Sequence, residues 1–253
     1  MAVSDSLSAV PVTHDTLFAG VVRFTQPADG YRAPVDGLLL AAFAGGAIRL
    51  AVDLGAGAGM VSLAMLHRTQ TPHIIAVESD PALSACLVKN LADNDLTERG
   101  TALEIDVLAA ARSRRGSADL VVANPPFYRD ATHTPARHER AHAARAGKHD
   151  RDPLVDFVGA ARALLGRGGR ACFVWPANDL ERFLARASSA GLAARRLRAF
   201  HPTPDAPARR VLLECRPGHP GGLTIEPPLI QFDRDGRESR AYRDATRGDA
   251  TRS

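Results

Sequence analysis

The chain has 253 residues, of which 45% are hydrophobic and 24% are charged, and it carries three cysteines. This length and composition fit one α/β domain with additions. No stretch approaches the ~20 apolar residues that a membrane-spanning helix needs, and the first residues lack a secretory signal pattern. The cysteines, Cys86, Cys172 and Cys215, lie too far apart for a metal or redox motif. We therefore expect a cytoplasmic protein with no metal and no membrane partner.

The charge is unevenly distributed along the chain. Residues 1–128 contain 9 Lys/Arg and 13 Asp/Glu, a balance of −4, whereas residues 129–253 contain 23 and 15, a balance of +8. A basic half beside an acidic one favours a polyanionic partner such as RNA. The alternative is ordinary solvated surface charge.

The sequence of residues 1–46 predicts an N-terminal extension that consists of short strands and a helix. Residues 17–26 are typical of a hairpin, and residues 35–43 form an apolar helical stretch that ends at Gly45-Gly46. Asp36 near the helix start is a candidate polar contact for a ligand, or else complements the helix dipole. The main domain is predicted at 47–215. The tail, 216–253, is charged from about residue 234, and we expect it to be partly disordered.

A strand over residues 48–54 runs into a glycine-rich turn and a helix from about residue 60. Gly55, Gly57 and Gly59 let a ligand approach the backbone, and the helix N-terminus offers free N–H groups. Asp53 precedes the turn. An acid there repels a pyrophosphate but suits an ammonium group, which favours a ligand with an amino-acid end over a dinucleotide.

Two further acids follow the next two predicted strands. Glu78 lies roughly 20 residues past the glycine turn, where a carboxylate can hold ribose hydroxyls. Asp106 followed by Val107 can accept from an adenine amino group and pack on its ring. Either acid can instead be a helix cap.

The segment Asn124-Pro125-Pro126-Phe127 follows an apolar run that predicts a buried parallel strand. Ligands bind at the carboxyl ends of such strands. The prolines stiffen the loop and leave its carbonyls free, Asn124 offers an amide oxygen, and Phe127 offers a stacking surface. Together they suit an exocyclic amino group on a planar ring. The alternative is a proline-terminated loop without a function.

The next segment, 128–150, is rich in Arg, His and Ala and is predicted to be a basic lid over the substrate or a disordered insertion. Its His spacings match no common metal pattern. Tyr128 either extends the stacking surface or packs internally, and we assign Phe127, Tyr128 and Arg129 to substrate binding.

These motifs, in this order over residues 48–176, resemble those of the class I S-adenosylmethionine-dependent methyltransferases. The resemblance implies a Rossmann-like, doubly wound α/β sheet of seven strands, mostly parallel with an antiparallel last strand. It implies S-adenosylmethionine as the cofactor, with Asp53 and the glycine turn at the methionine part, Glu78 at the ribose and Asp106 at the adenine. The segment 124–127 looks like the amino-methyltransferase motif, which most often ends in Tyr; Phe127 keeps the ring. The cofactor-binding residues are thus Asp53, Gly55, Gly57, Gly59, Glu78, Asp106, Val107 and Asn124; the catalytic ones are Asn124, Pro125, Pro126 and Phe127.

A closer resemblance is to the bacterial tRNA (adenine-N6)-methyltransferases that modify valine tRNA beside the anticodon. It is carried by residues 17–20, 26–42 and 204–214 together with the Asn-Pro-Pro-Phe motif. It implies tRNA as the partner and a flipped-out adenine as the substrate. Protein glutamine-N5 and ribosomal-RNA guanine-N2 methyltransferases share the motif and stay open as alternatives, as does a non-catalytic cofactor- or RNA-binding module. The oligomeric state is left open.

Overall fold

The computed structural model describes residues 11–28, 35–46, 48–69, 71, 73–127, 152–218 and 221–248. The strands in these ranges are β1 (Val12–Leu17), β2 (Val22–Pro27), β3 (Leu50–Leu54), β4 (His73–Glu78), β5 (Gly100–Glu104), β6 (Ala118–Ala123), β7 (Leu165–Pro176), β8 (Leu192–His201), β9 (Arg210–Pro217), β10 (Thr224–Ile225) and β11 (Leu229–Ile230). The helices are α1 (Asp36–Ala44), α2 (Met60–Arg68), α3 (Pro81–Asp93), α4 (Val107–Ser113), α5 (Pro153–Leu164), α6 (Leu180–Ser189) and α7 (Arg240–Arg247).

One large sheet has the strand order β10-β8-β9-β7-β6-β3-β4-β5, and β11 also pairs with β8. Strands β3 to β7 are mutually parallel, and β9 is antiparallel to both of its neighbours, β7 and β8. The predicted seven-stranded, mostly parallel sheet with an antiparallel last strand is confirmed for β3 to β9. The short strands β10 and β11 extend it along the outer edge of β8.

Helices cover both faces of the sheet. Successive side chains of a strand point to opposite faces, and both sets are apolar and buried here, so each face needs a covering layer. On β3, Ala51 belongs to the core formed with α1, α2 and α3, whereas its neighbour Val52 belongs to the core formed with α4, α5 and α6. No helix in the described part of the chain has the length and apolar character needed to cross a bilayer.

The N-terminal hairpin, β1 and β2, is attached to the main domain in part by a buried amide on α3. Asn90 is fully buried; its Oδ1 accepts from the Thr25 N–H at 2.7 Å, and its Nδ2 donates to the carbonyls of Thr25 and Ala58, each at 2.8 Å. Ala58 lies in the glycine turn. The hairpin therefore supports the turn from outside.

The charged tail differs from the expectation of disorder beyond residue 234. Residues 240–247 form α7, whose Ser239 cap accepts from the Tyr242 N–H, and Tyr242 stacks on Phe200 with ring centroids 6.0 Å apart. The buried face of α7 consists only of Tyr242 and Ala245. Because the residues around them are mostly charged, the sequence shows no clear amphipathic helix pattern here. The division into segments 1–46, 47–215 and 216–253 stays a prediction.

Candidate active site

Strand register brings the predicted site segments together at the carboxyl edge of the sheet. Leu54 pairs with Ala123 on one side and with Val77 on the other. Gly55 therefore follows directly between Asn124 and Glu78, and adjacent strands are about 4.8 Å apart. The chain order reverses at β3, which makes this a topological switch point, where open α/β sheets bind ligands.

The three turn glycines all have left-handed backbone conformations, but they serve different purposes. Their φ angles are +68°, +59° and +93° for Gly55, Gly57 and Gly59. A Cβ on Gly55 would lie 2.9 Å from the Phe157 ring, and one on Gly59 would lie 2.5 Å from Leu87. A Cβ on Gly57 would meet nothing within 4 Å. Packing thus requires two of the glycines, and Gly57 is where a ligand can approach the backbone.

Glu78 holds the glycine turn in place. Glu78 is only 4% exposed, and its Oε2 accepts from the Gly57 N–H while its Oε1 accepts from the Asp80 N–H, each at 2.8 Å. One side chain thereby connects the turn after β3 to the turn after β4. Its predicted ribose contact stays a prediction.

Asp53 lies behind the turn. It is 1% exposed, and its Oδ2 accepts from the Ser62 hydroxyl of α2 at 2.7 Å. Burial raises the pKa of Asp53 from 3.8 to about 7; hydrogen bonds from Ser62 oppose this rise, and the Glu78 carboxylate adds to it. The acid that the sequence analysis placed at the methionine part therefore holds a proton far more readily than an exposed aspartate does, and its cofactor contact stays a prediction.

The raised pKa of Asp53 predicts a pH-dependent stability. Between about pH 4 and pH 7 the folded chain holds a proton on Asp53 that the unfolded chain has released, so the free energy of unfolding falls as pH rises through this window. Relative to Asp53→Asn, the wild type should lose at least about 1 kcal/mol between pH 5 and pH 7.5. Denaturant unfolding at the two pH values measures this.

Asp119→Asn is the matched control for that experiment. Although partial burial works against it, hydrogen bonds from Arg49 and the backbone keep the pKa of Asp119 below its usual value. The Asp119 contribution is lost only below about pH 4, and this variant retains Asp53, so its free energy of unfolding should fall between pH 5 and pH 7.5 by about as much as that of the wild type. An equal loss in Asp53→Asn and wild type would contradict the assigned pKa.

Asp106 acts as the N-cap of α4, the alternative considered from sequence. Its Oδ1 accepts from the Ala109 N–H at 2.8 Å, and the side chain remains exposed. Val107 beside it is half-buried. The capping hydrogen bond uses one of the two carboxylate oxygens and leaves acceptor capacity for a ligand. The adenine contact of Asp106 and Val107 stays a prediction.

The Asn-Pro-Pro-Phe segment forms a fixed corner beside the turn. Pro125 is buried, whereas Asn124, Pro126 and Phe127 are partly buried. Within the described residues, Asn124 Oδ1 is buried and has no hydrogen-bond partner. Such an acceptor is costly to leave unpaired in the interior of a protein, and it is the group expected for binding an N–H of a ligand.

Phe127 contacts two residues that sequence reasoning did not assign to the site. The Trp175 ring lies 5.3 Å from it at 81°, and the guanidinium carbon of Arg210 lies 5.1 Å from its centroid. Arg210 Nε in turn donates to Asp36 Oδ2 at 2.8 Å. The available signal was Arg209-Arg210 directly after a proline-rich loop.

Some predicted features fall outside the described residues. These include Tyr128, Arg129 and the His- and Arg-rich segment up to residue 150. In the ranges that the structure does describe, no group of three or more His, Cys, Asp or Glu side chains is arranged to hold a metal ion.

The parallel sheet with antiparallel β9, the glycine turn and the amide corner together define a Rossmann-like methyltransferase. The family model for the methyltransferase small domain matches residues 36–182. This is more than half of the chain, and the chain therefore belongs to the methyltransferase small domain family. The predicted enzyme class is confirmed.

Known relatives agree with the closer resemblance seen in the sequence. A protein of Enterobacter named tRNA1(Val) (adenine(37)-N6)-methyltransferase is 31% identical over 72% of this chain and 74% of its own length. A protein of the same name from Porphyromonas gingivalis is 29% identical over 74% of each chain. A predicted O-methyltransferase from Agrobacterium tumefaciens has a similar fold, with a TM-score of 0.67 and 22% identity over 83% of this chain and 94% of that one.

Proposed function

We propose that this protein transfers a methyl group from S-adenosylmethionine to the exocyclic N6 amino group of an adenine in tRNA. The observation that carries the proposal is Asn124 Oδ1, a buried acceptor with no partner among the described residues, positioned beside the glycine turn. A methyl acceptor bound at Asn124 and a methyl donor bound at the glycine turn would therefore be neighbours.

S-adenosylmethionine supplies a methyl group on a positively charged sulfur. Gly57 gives it close access to the backbone, and the N-terminus of α2 and Asp53 lie next to that position. Such an open turn beside a helix start fits an elongated ligand with polar groups.

The corner is suited to activate a poor nucleophile. The Asn124 oxygen and the Pro125 carbonyl accept the two N–H groups of the substrate NH₂, which stabilises the positive charge that develops on the nitrogen as it attacks the methyl carbon. The carbon–sulfur bond breaks as the carbon–nitrogen bond forms. The nitrogen then releases one proton to water, so no strong base is required.

Several features favour RNA as the substrate. The C-terminal half of the chain carries a balance of +8, which suits a phosphate backbone. Phe127 offers its ring to a flipped base. The relatives named tRNA1(Val) (adenine(37)-N6)-methyltransferase match along most of this chain. A tRNA substrate also fits a cytoplasmic location.

The test is a methylation assay in which three substrates are offered in parallel. Unmodified bulk tRNA, ribosomal RNA and a release-factor peptide are incubated with labelled S-adenosylmethionine, and the products are analysed as nucleosides or amino acids. We expect N6-methyladenosine in tRNA. Label in guanine or in glutamine would instead support the two rival methyltransferases. Cofactor binding without any methylated product would support a binding module.

A further inference from the structure

An ion pair next to the motif has no role in the mechanism above. Asp36 begins α1 and is 4% exposed, and Arg210 begins β9. Because β9 is antiparallel to β7, its first residue lies at the carboxyl edge, where Arg210 pairs with Pro176. The contacting atoms, Arg210 Nε and Asp36 Oδ2, are 2.8 Å apart. The pair is thus part of the rim of the site.

The guanidinium of Arg210 lies over the Phe127 ring, 5.1 Å from its centroid. Planar groups stack with their atoms about 3.5 Å apart, so a base between the two planes needs about 7 Å. The gap must therefore widen by about 2 Å when a base enters, and the Arg210 side chain, which is 28% exposed, has a solvent-facing side toward which it can shift. Trp175, fully buried, holds the Phe127 ring from a second direction.

We propose that Arg210 is a substrate-contacting residue whose guanidinium forms the second plane of a base-binding cleft opposite Phe127, and that Asp36 positions it. This inference rests on the proposed function, since it takes a planar base as the ligand. Guanidinium planes stack on unpaired bases as aromatic rings do.

Asp36 also has an electrostatic role in this arrangement. The attacking nitrogen becomes positive, so a bare guanidinium a few ångströms away would oppose the reaction. The Asp36 carboxylate cancels that charge while it fixes the orientation of the plane. The pair therefore offers a stacking surface without a net charge.

Substitutions at Arg210 and Asp36 are predicted to change different kinetic constants. Arg210→Lys keeps the charge and the partner but loses the plane, so KM for the RNA should rise about 5- to 100-fold with kcat within about threefold. Asp36→Asn keeps the shape but exposes the positive charge, so kcat should fall about tenfold with a smaller change in KM. The Kd for S-adenosylmethionine should stay within about threefold in both variants.

Stacking is also measured without turnover, with a short single-stranded RNA that carries 2-aminopurine. Wild-type protein should quench its fluorescence on binding, and Arg210→Lys should quench it markedly less. The matched control is the exposed pair Arg240 and Asp244 on α7, where Arg240→Lys and Asp244→Asn should change none of these values.

Equal quenching by wild type and Arg210→Lys would overturn the inference and leave the pair as a structural connection between α1 and β9. A wild type that quenches but yields no N6-methyladenosine would refute the proposed substrate while the cleft stands. Lower thermal stability of both variants with unchanged KM, kcat and quenching would also overturn it.

Discussion

Replacement of Asn124 by alanine is expected to lower kcat by a factor of about 10² to 10³. The variant loses the buried Oδ1 acceptor beside the glycine turn, and with it the dipole that stabilises positive charge on the attacking amino group. Gly57 and its Glu78 partner are untouched, so the variant should still bind S-adenosylmethionine, and its Kd should change far less than kcat even though Asn124 is also a predicted cofactor contact. Single-turnover methylation and calorimetry measure the two quantities separately.

Asn94→Ala provides the matched control. Asn94 ends α3, and its amide donates to the carbonyls of Arg23 and Asn90. Because α3 runs from the carboxyl edge toward the opposite edge of the sheet, this amide is remote from the site. Its loss should lower stability and leave kcat unchanged. If Asn124→Ala and Asn94→Ala have the same kcat, the corner is not the reaction centre.

The strands and turns that border the candidate site could be predicted from local signals in the sequence. A buried parallel strand is a short apolar run, and a glycine or a proline marks its end, so β3 with its turn and β6 with its Asn-Pro-Pro-Phe corner stand out. Their proximity followed from a general rule about carboxyl ends, and the register of Leu54 with Ala123 agrees with it.

The parts that sequence missed depend on contacts between distant residues. Asn90 bonds to Thr25, 65 residues away, and Arg210 bonds to Asp36, 174 residues away. Neither pairing leaves a local pattern, because a lone polar residue in a helix or at a strand start has many possible partners. Such contacts support the site rather than form its motifs, and only the assembled sheet reveals them.

Glu78, predicted as a ribose contact, also has a structural role in the glycine turn. Glu78→Gln should raise the Kd for S-adenosylmethionine at least about tenfold and lower the free energy of unfolding by about 2 kcal/mol. The carboxylate accepts from two backbone N–H groups, those of Gly57 and Asp80. A glutamine has one acceptor oxygen, so its NH₂ must face one of these donors, and the Gly57 turn loses its fixed shape. Calorimetry and denaturant unfolding measure both effects.

The chain offers a control at an equivalent position on the neighbouring strand. Glu104 pairs with Glu78 in the sheet register but is exposed, so Glu104→Gln removes a charge at the same edge without removing a buried acceptor. It should bind the cofactor as wild type does. If Glu78→Gln and Glu104→Gln weaken binding equally, cofactor affinity depends on general electrostatic attraction and not on the glycine turn that Glu78 holds in place. If Glu78→Gln loses affinity but not stability, the carboxylate acts mainly on the ligand, as a ribose contact would.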